Sequence, residues 1–85
     1  MSTYKIDDIV RADAETAKNC ADAIASGDRH DLAYRRAMAV QTTGIVTDVK
    51  PGAKVGRLAG VPSVTVYFHG LKPRSMAACR IEHVA

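Results

Sequence analysis

The segment that decides the fold is GIVTDVKPGAKVGRLAGVPSVTVYFHG, residues 44–70. It contains two stretches rich in β-branched residues, 44–50 and 63–69, joined by a connection whose prolines and glycines interrupt any strand. Large apolar side chains occupy alternate positions of the second stretch, at Val64, Val66 and Phe68. This two-residue period predicts a strand with one buried face, and the whole segment predicts a β-hairpin.

The first strand of this hairpin has an imperfect pattern. Strict alternation places Ile45 and Val49 on one face and Val46 on the other. A β-bulge, or burial of both faces of the strand, would account for apolar residues at both odd and even positions.

Residues 13–41, upstream of the hairpin, predict two helices. Asp13 suits the N-cap of an alanine-rich helix. Ser26 and Gly27 suit its end, because glycine readily adopts the left-handed conformation found just beyond many helices. Asp28 then suits the N-cap of a second helix. The predicted helices are joined by about two residues, which predicts an antiparallel helical hairpin.

Short strands are predicted on both sides of these elements. Ile9 and Val10 belong to a first strand that precedes the helices. Beyond Gly70 we expect an edge strand at 72–76, one turn of 3₁₀ helix at 77–79 and a closing strand at 80–84. The chain, residues 1–85, is therefore predicted to be a single α+β domain with five strands.

Three segments resemble the SH3-like small barrel: IDDIVRAD, GIVTDV followed by VTVYF, and AACRIEHV. The middle pair is similar to the KOW strand pattern of ribosomal and transcription-factor domains. The resemblance implies a five-stranded antiparallel barrel with the helical hairpin, about 13–41, inserted between strands 1 and 2. Asp7 stands where the family usually has glycine, and the small members lack the hairpin. SH3-like barrels bind RNA, DNA, peptides and one another, so the resemblance implies a binding module without selecting the ligand.

Composition favours a globular protein and limits its partners only weakly. Hydrophobic residues make up 47% and charged residues 25% of the chain, which argues against disorder. The net charge of +3 permits binding to nucleic acid but does not require it. No secretory signal pattern and no long apolar run are present, so we expect a cytoplasmic protein with Cys20 and Cys79 reduced and no membrane contact.

The sequence contains no recognisable catalytic or metal-binding motif. Its histidines are dispersed and CxxC is absent, so no metal site is predicted. Phosphate-cradling glycine motifs and nucleophile elbows are also absent. We therefore predict no cofactor and no catalytic residue, and regard an enzyme as the weakest of three hypotheses, one that would need a site shared between subunits.

The first hypothesis is nucleic-acid binding through two basic turns. Three cations lie along the central hairpin and two follow the next turn, and if the turns are neighbours these charges would form one basic edge. Tyr67, on the outward face of its strand, would add a surface on which bases stack. The predicted site comprises Lys50, Lys54, Arg57, Tyr67, Lys72 and Arg74. The alternative is a solvated hairpin whose lysines protect a strand edge from aggregation.

The second hypothesis is protein interaction through the second helix. Ala33, Ala37 and Val40 form an apolar stripe at helical spacing. If one barrel cannot cover this stripe, its exposed part would bind a partner protein or a second copy of the chain. Small basic barrels of this kind resemble proteins carried by mobile elements such as phages and integron cassettes.

Overall fold

The computed structural model describes residues 3–52, 55–56 and 59–84. Its elements are β1 (Ile9–Ala12), α1 (Ala14–Ala25), α2 (Leu32–Ala39), β2 (Gly44–Lys50), β3 (Ser63–Tyr67), β4 (Arg74–Ala77), a 3₁₀ helix (Ala78–Arg80) and β5 (Ile81–His83). The predicted order of strands, helices and closing 3₁₀ turn is therefore confirmed. Neither helix in the described residues is long and apolar enough to cross a bilayer.

The strands form one antiparallel sheet in the order β4-β3-β2-β1-β5. Strands β2, β3 and β4 form a meander, and β5 returns to pair with β1. The predicted α+β class and five-stranded antiparallel sheet are confirmed. The predicted closure into a barrel is not found. Among the described residues β4 pairs only with β3 and β5 only with β1, so the sheet has two free edges.

The helical hairpin covers the inner face of the sheet, which was predicted to close into a barrel. Met38 of α2 is buried in the same core as Val10 and Val66, and Tyr34 and Cys20 pack against that core. A sheet whose apolar face is covered by helices needs no second layer of strands to bury it. The helical hairpin thus covers the inner face of a sheet whose edge strands, β4 and β5, do not pair with each other.

The inner face of the sheet is filled by five large side chains that are almost completely inaccessible, Val10, Val46, Val64, Val66 and Phe68. The alternation predicted for β3 is confirmed. Gly44 lies opposite Val10 in this layer. A Cβ atom at Gly44 would approach Val66 Cγ1 to 2.5 Å and Phe68 Cδ1 to 3.1 Å, so the core packs directly on the glycine backbone.

A β-bulge resolves the irregular pattern of β2. Ile45 lies opposite Tyr67 and Val46 opposite Val66, but the next pair is Asp48 with Thr65. The register therefore shifts across residue 47, one of the two explanations offered by the sequence. Because of this shift Val49 joins Val46 on the inner face, and the prediction that Val49 shares a face with Ile45 is wrong.

The first helix begins and ends as predicted. The Asp13 carboxylate accepts a hydrogen bond from the Thr16 backbone N–H at 2.8 Å. Gly27 follows the helix with φ of +89°. The N–H groups of Gly27 and Asp28 bond to the carbonyls of Ile24 and Ala23, which completes a Schellman motif.

The second helix begins later than predicted. Asp28 does not cap it: Oδ1 of Asp28 accepts the His30 backbone N–H at 2.9 Å, a local turn that competes with helix. Asp31 then adopts a left-handed conformation, with φ of 50°, and α2 starts at Leu32. The connection between the helices is consequently residues 26–31 rather than a two-residue turn.

Side-chain contacts anchor α2 to the sheet at both of its ends. Near its start, Tyr34 Oη donates to the Lys72 carbonyl at 2.6 Å, and Arg74 Nη2 lies 2.6 Å from Asp31 Oδ2. Just beyond its end, Gln41 Nε2 donates to the Ala12 carbonyl at 2.9 Å. These contacts fix the helical hairpin across the inner face.

Replacement of Gly44 tests the close approach of the core to β2. Gly44→Ala places a methyl group against Val66 and Phe68, and overpacking of this kind lowers the free energy of unfolding by about 1–3 kcal/mol. Urea denaturation measures the change. Thr43→Ala, at the exposed neighbouring position, is the control and should have little effect. Equal stability of the two variants would contradict the packing described for Gly44.

The connection between the helices should be sensitive to acid. The backbone N–H of His30 and then the guanidinium of Arg35, 2.7 Å from Asp28 Oδ2, lower the pKa of Asp28 from 3.8 to about 2. A depressed carboxyl pKa stabilises the fold above the unfolded value and loses that contribution as pH falls towards about 2. Asp28→Asn should therefore be less stable than the native chain at neutral pH, and the difference should vanish as the pH approaches about 2. Denaturant midpoints across this range measure it, and a difference independent of pH would refute the pairing.

Candidate functional site

The outer face of the sheet carries an exposed apolar row across three strands. Ile9 of β1 lies opposite Ile45 of β2, which lies opposite Tyr67 of β3. These side chains are 43%, 41% and 36% exposed, whereas the adjacent residues on the inner face are fully buried. Cross-strand neighbours on one face are in contact range, so the three form one continuous surface, called here the Tyr67 row.

Hydroxyl groups occupy the middle of the same face. Thr65 Oγ1 and Ser75 Oγ are 2.9 Å apart, and Thr47 Oγ1 lies 3.4 Å from the Thr65 carbonyl. Lys50 pairs with Ser63 at the far end of the β2–β3 ladder. The outer face therefore changes from apolar and aromatic at the Tyr67 row to hydroxylic and then cationic along β3.

The structure separates Lys50 from Lys72, two of the cations that were predicted to form one basic edge. Lys50 is exposed beside the connection from β2 to β3, whereas Lys72 is exposed in the turn from β3 to β4. Successive turns of a meander lie at opposite ends of their shared strand. The four steps from Ser63 to Tyr67 separate the two ends by about 13 Å. Lys54 and Arg57 lie outside the described residues.

Arg74 is held in an ion pair instead of facing the outer surface. It lies opposite buried Val66, which places it on the inner side of β4. Its guanidinium contacts Asp31 at 2.6 Å and stands 5.0 Å over the Tyr34 ring. The hydrogen bond between Arg74 and Asp31 raises the pKa of Arg74 and lowers the pKa of Asp31. Arg74 therefore holds α2 on the sheet, with its charge balanced by Asp31.

The predicted stripe on α2 is only partly exposed. Val40, at the end of the helix, is 75% exposed, Ala33 is exposed, and Ala37 is half-buried against the core. Ala37 and Val40 line an open groove of about 590 Å³ together with Ala21 and Ile24 of α1. The groove is thus a joint product of both helices, which pack against each other.

The two cysteines are free thiols, Cys20 half-buried and Cys79 exposed. His83 Nε2 lies 3.0 Å from Asp8 Oδ2, and its ring stacks on Tyr4 with centroids 4.5 Å apart. His30 is paired with Asp28, and His69 is exposed. In the part of the chain that the structure describes, no three His, Cys, Asp or Glu side chains come together as a metal site.

Sequence analysis selected Tyr67 but missed the two isoleucines beside it. Ile9 and Ile45 each stand next to another apolar residue in their strands. The pattern therefore does not show which set of alternate side chains faces the core. Only the pairing of Ile9 with Ile45 and of Ile45 with Tyr67 shows that all three share the outer face. Register between distant strands is not encoded by the pattern of one strand.

Comparison of the chain with protein-family models, curated proteins and solved structures found no match.

Proposed function

We propose that the protein is a non-enzymatic module that binds single-stranded nucleic acid on the outer face of its sheet. The observation that carries this proposal is the Tyr67 row, an aromatic ring exposed between apolar neighbours on a solvent-facing sheet. Ile9 and Ile45 are exposed next to Tyr67 on one face, and contiguous apolar exposure of this kind supports the assignment of a contact surface.

Base stacking explains why a nucleic acid suits this surface. Every base has a flat apolar face, and stacking on an aromatic side chain contributes about 1–3 kcal/mol per base without sequence preference. Tyr67 supplies the aromatic ring, and Ile45 beside it supplies an apolar surface for a second base. The hydroxyls of Thr65 and Ser75 lie next along the face and can donate to phosphate or base oxygens.

The distribution of charge favours an extended strand over a compact anion. Lys72 is exposed at the Tyr67 end of β3 and Lys50 at the other, so a ligand that contacts both must run along the strand. Arg11 does not contribute free charge, because its Nε lies 2.8 Å from Glu82 Oε2. Phosphates spaced along a single strand provide anionic groups at both ends of such a path.

The topology supports the interpretation of the domain as SH3-like. The sequence resemblance implies five antiparallel strands with a 3₁₀ turn before the last one, and the sheet has five antiparallel strands with a 3₁₀ helix between β4 and β5. In this interpretation the helical hairpin is an insertion between β1 and β2 that has opened the barrel. The fold alone does not select a ligand, so the proposal depends on the outer face.

Self-association through the helices is a second candidate, favoured by the exposure of Val40 beside the groove between α1 and α2. A second copy that covered this groove would bury an apolar surface that the single chain leaves open.

Removal of the Tyr67 ring should weaken binding of labelled single-stranded oligonucleotides, measured by fluorescence anisotropy. Tyr67→Ala should lower affinity about five- to hundredfold, the range expected for one stacked base, whereas Tyr67→Phe should retain most of it. Val40→Ala, on the opposite side of the molecule from the outer face, is the matched control. If Tyr67→Ala and Val40→Ala bind equally well, the outer face is not the binding surface.

The salt dependence of affinity measures how much the cations contribute to nucleic-acid binding. Affinity for the native chain should fall as salt rises, with a shallower slope for Lys72→Glu and for the double variant Lys54→Glu, Arg57→Glu. Unchanged slopes in both variants would remove these cations from the proposed interface.

Self-association is tested by sedimentation at increasing concentration. A dimer that uses the groove should dissociate when Val40→Lys introduces a charge, whereas Lys18→Ala, an exposed position on α1, should leave the mass unchanged. A monomeric native chain would exclude this second candidate.

A further inference from the structure

A cleft separates the helical hairpin from the edge strand β4. All four residues of β4 line this cavity of about 350 Å³, and Tyr34, Met38 and Cys20 form much of the facing wall. A second cavity of about 410 Å³ adjoins the first and is treated with it as one cleft, because the two share four lining residues, Thr16, Cys20, Arg35 and Arg80. Its size is in the range of ligand-binding sites in proteins.

The edge of β4 that faces this cleft has no partner strand within the described residues. The Ala78 N–H donates to the Pro62 carbonyl at 2.9 Å, which identifies this opposed pair as a hydrogen-bonded one. Hydrogen-bonded pairs alternate along an antiparallel ladder, so Arg74 and Met76 bond to β3, and Ser75 and Ala77 direct their N–H and C=O groups away from it. The Ala77 carbonyl accepts the first hydrogen bond of the 3₁₀ helix, of which Ala77 is the N-cap. Within the described residues the other three outward groups, the N–H and C=O of Ser75 and the N–H of Ala77, have no hydrogen-bond partner.

A free edge inside a cleft favours a polypeptide ligand. N–H and C=O groups that alternate at strand spacing are complemented by the backbone of another extended chain. Tyr34 and Met38 of α2 form the opposite wall, so a chain that pairs with β4 must fit between this wall and the strand. A single extended segment of another protein needs less room there than the edge of a second folded copy of this domain.

The charges along the cleft favour an acidic segment. Arg74 is paired with Asp31, and Arg35 with Asp28. Arg80 is exposed and has no ionic partner among the described residues. It lines both cavities, so it can pair with a carboxylate on a bound chain.

Beside β4, where the peptide would lie, no unpaired acidic group of the described residues competes for that charge. Asp13, in the second cavity, is engaged by the Thr16 N–H at the start of α1. Glu15 is exposed in the same cavity. The first cavity, beside β4, contains only Asp31 as an acid, and Asp31 is already paired.

We infer that this cleft binds an extended, acidic peptide segment of a partner protein, which adds to the sheet as a strand against β4. Backbone hydrogen bonds to Ser75 and Ala77 would hold the segment, and Arg80 would select a carboxylate. This function is separate from nucleic-acid binding, because the Tyr67 row lies on the outer face of the sheet.

Amide hydrogen exchange tests the free edge directly. In the native protein the amides of Ser75 and Ala77 should exchange about tenfold or more faster than that of Met76, which is bonded to β3. Comparable protection of all three amides would show that the edge already has a partner, and the inference would be withdrawn.

Selection from a phage-displayed library of random nonapeptides, with the whole chain as bait, tests the ligand. Enriched peptides should contain Asp or Glu, and synthetic copies should protect the amides of Ser75 and Ala77 on binding. Ser75→Pro removes one outward N–H without breaking the ladder to β3, and should weaken binding about tenfold or more. Ser75→Ala removes the same hydroxyl, retains the N–H and should bind normally, which makes it the matched control.

The same assay tests the role of the Arg80 charge and whether the cleft acts independently of the Tyr67 row. Arg80→Gln should weaken binding of the acidic peptides and leave their Gln analogues unaffected. Tyr67→Ala should bind peptide normally. Failure to enrich any peptide, or peptides that bind Ser75→Pro and Ser75→Ala equally, would overturn the inference. If Ser75→Pro does not fold, protection of the Ser75 and Ala77 amides in the native chain decides the question.

Discussion

The register of β2 against β3 is the constraint on which the other features depend. One extra residue at Thr47 lets Val46 and Val49 both face the core, although three positions separate them. Without the bulge Val49 would point to solvent and the inner face would lose an apolar contact. Ile45 is outside because Val46 is inside, and Tyr67 is outside because it pairs with Ile45. The exposed row is therefore a direct consequence of the pairing that builds the core.

The helical hairpin determines what the sheet can do at its edges. A small antiparallel sheet removes its free edges by closing on itself or protects them with other elements. Here α2 packs over the inner face through Met38 and is held at its start by the Tyr34 and Arg74 contacts. Those contacts place the helices opposite β4 without touching its outward backbone groups. The same packing that removes the need for a barrel leaves a cleft beside the unpaired edge of β4.

Features that depend on residues close in sequence were predicted, whereas the pairing of distant segments was not. The cap at Asp13 and the left-handed Gly27 depend on residues close in sequence, and the alternation in β3 depends on one strand. The late start of α2 was missed because Asp28 can either cap a helix or form a local turn, and both need the same side chain. The end of α2 carries no glycine signal, since Gln41 itself adopts φ of 54° there. Of the candidate site, Tyr67 was predicted and Ile9 was missed. The exposure of Ile9 depends on pairing with a strand more than thirty residues away.

The two proposed surfaces share one hairpin, and this has a structural consequence. Ser75 directs its hydroxyl towards Thr65 on the outer face and its backbone groups towards the cleft. A peptide strand added beside β4 would extend the sheet by one strand, so it would also widen the outer face next to this hydroxyl pair. Tyr67, three strands from β5 and one from β4, would then lie nearer the middle of the enlarged face. Because pairing also orders an edge strand, a bound peptide would stiffen β4 beneath the surface on which a nucleic acid would lie.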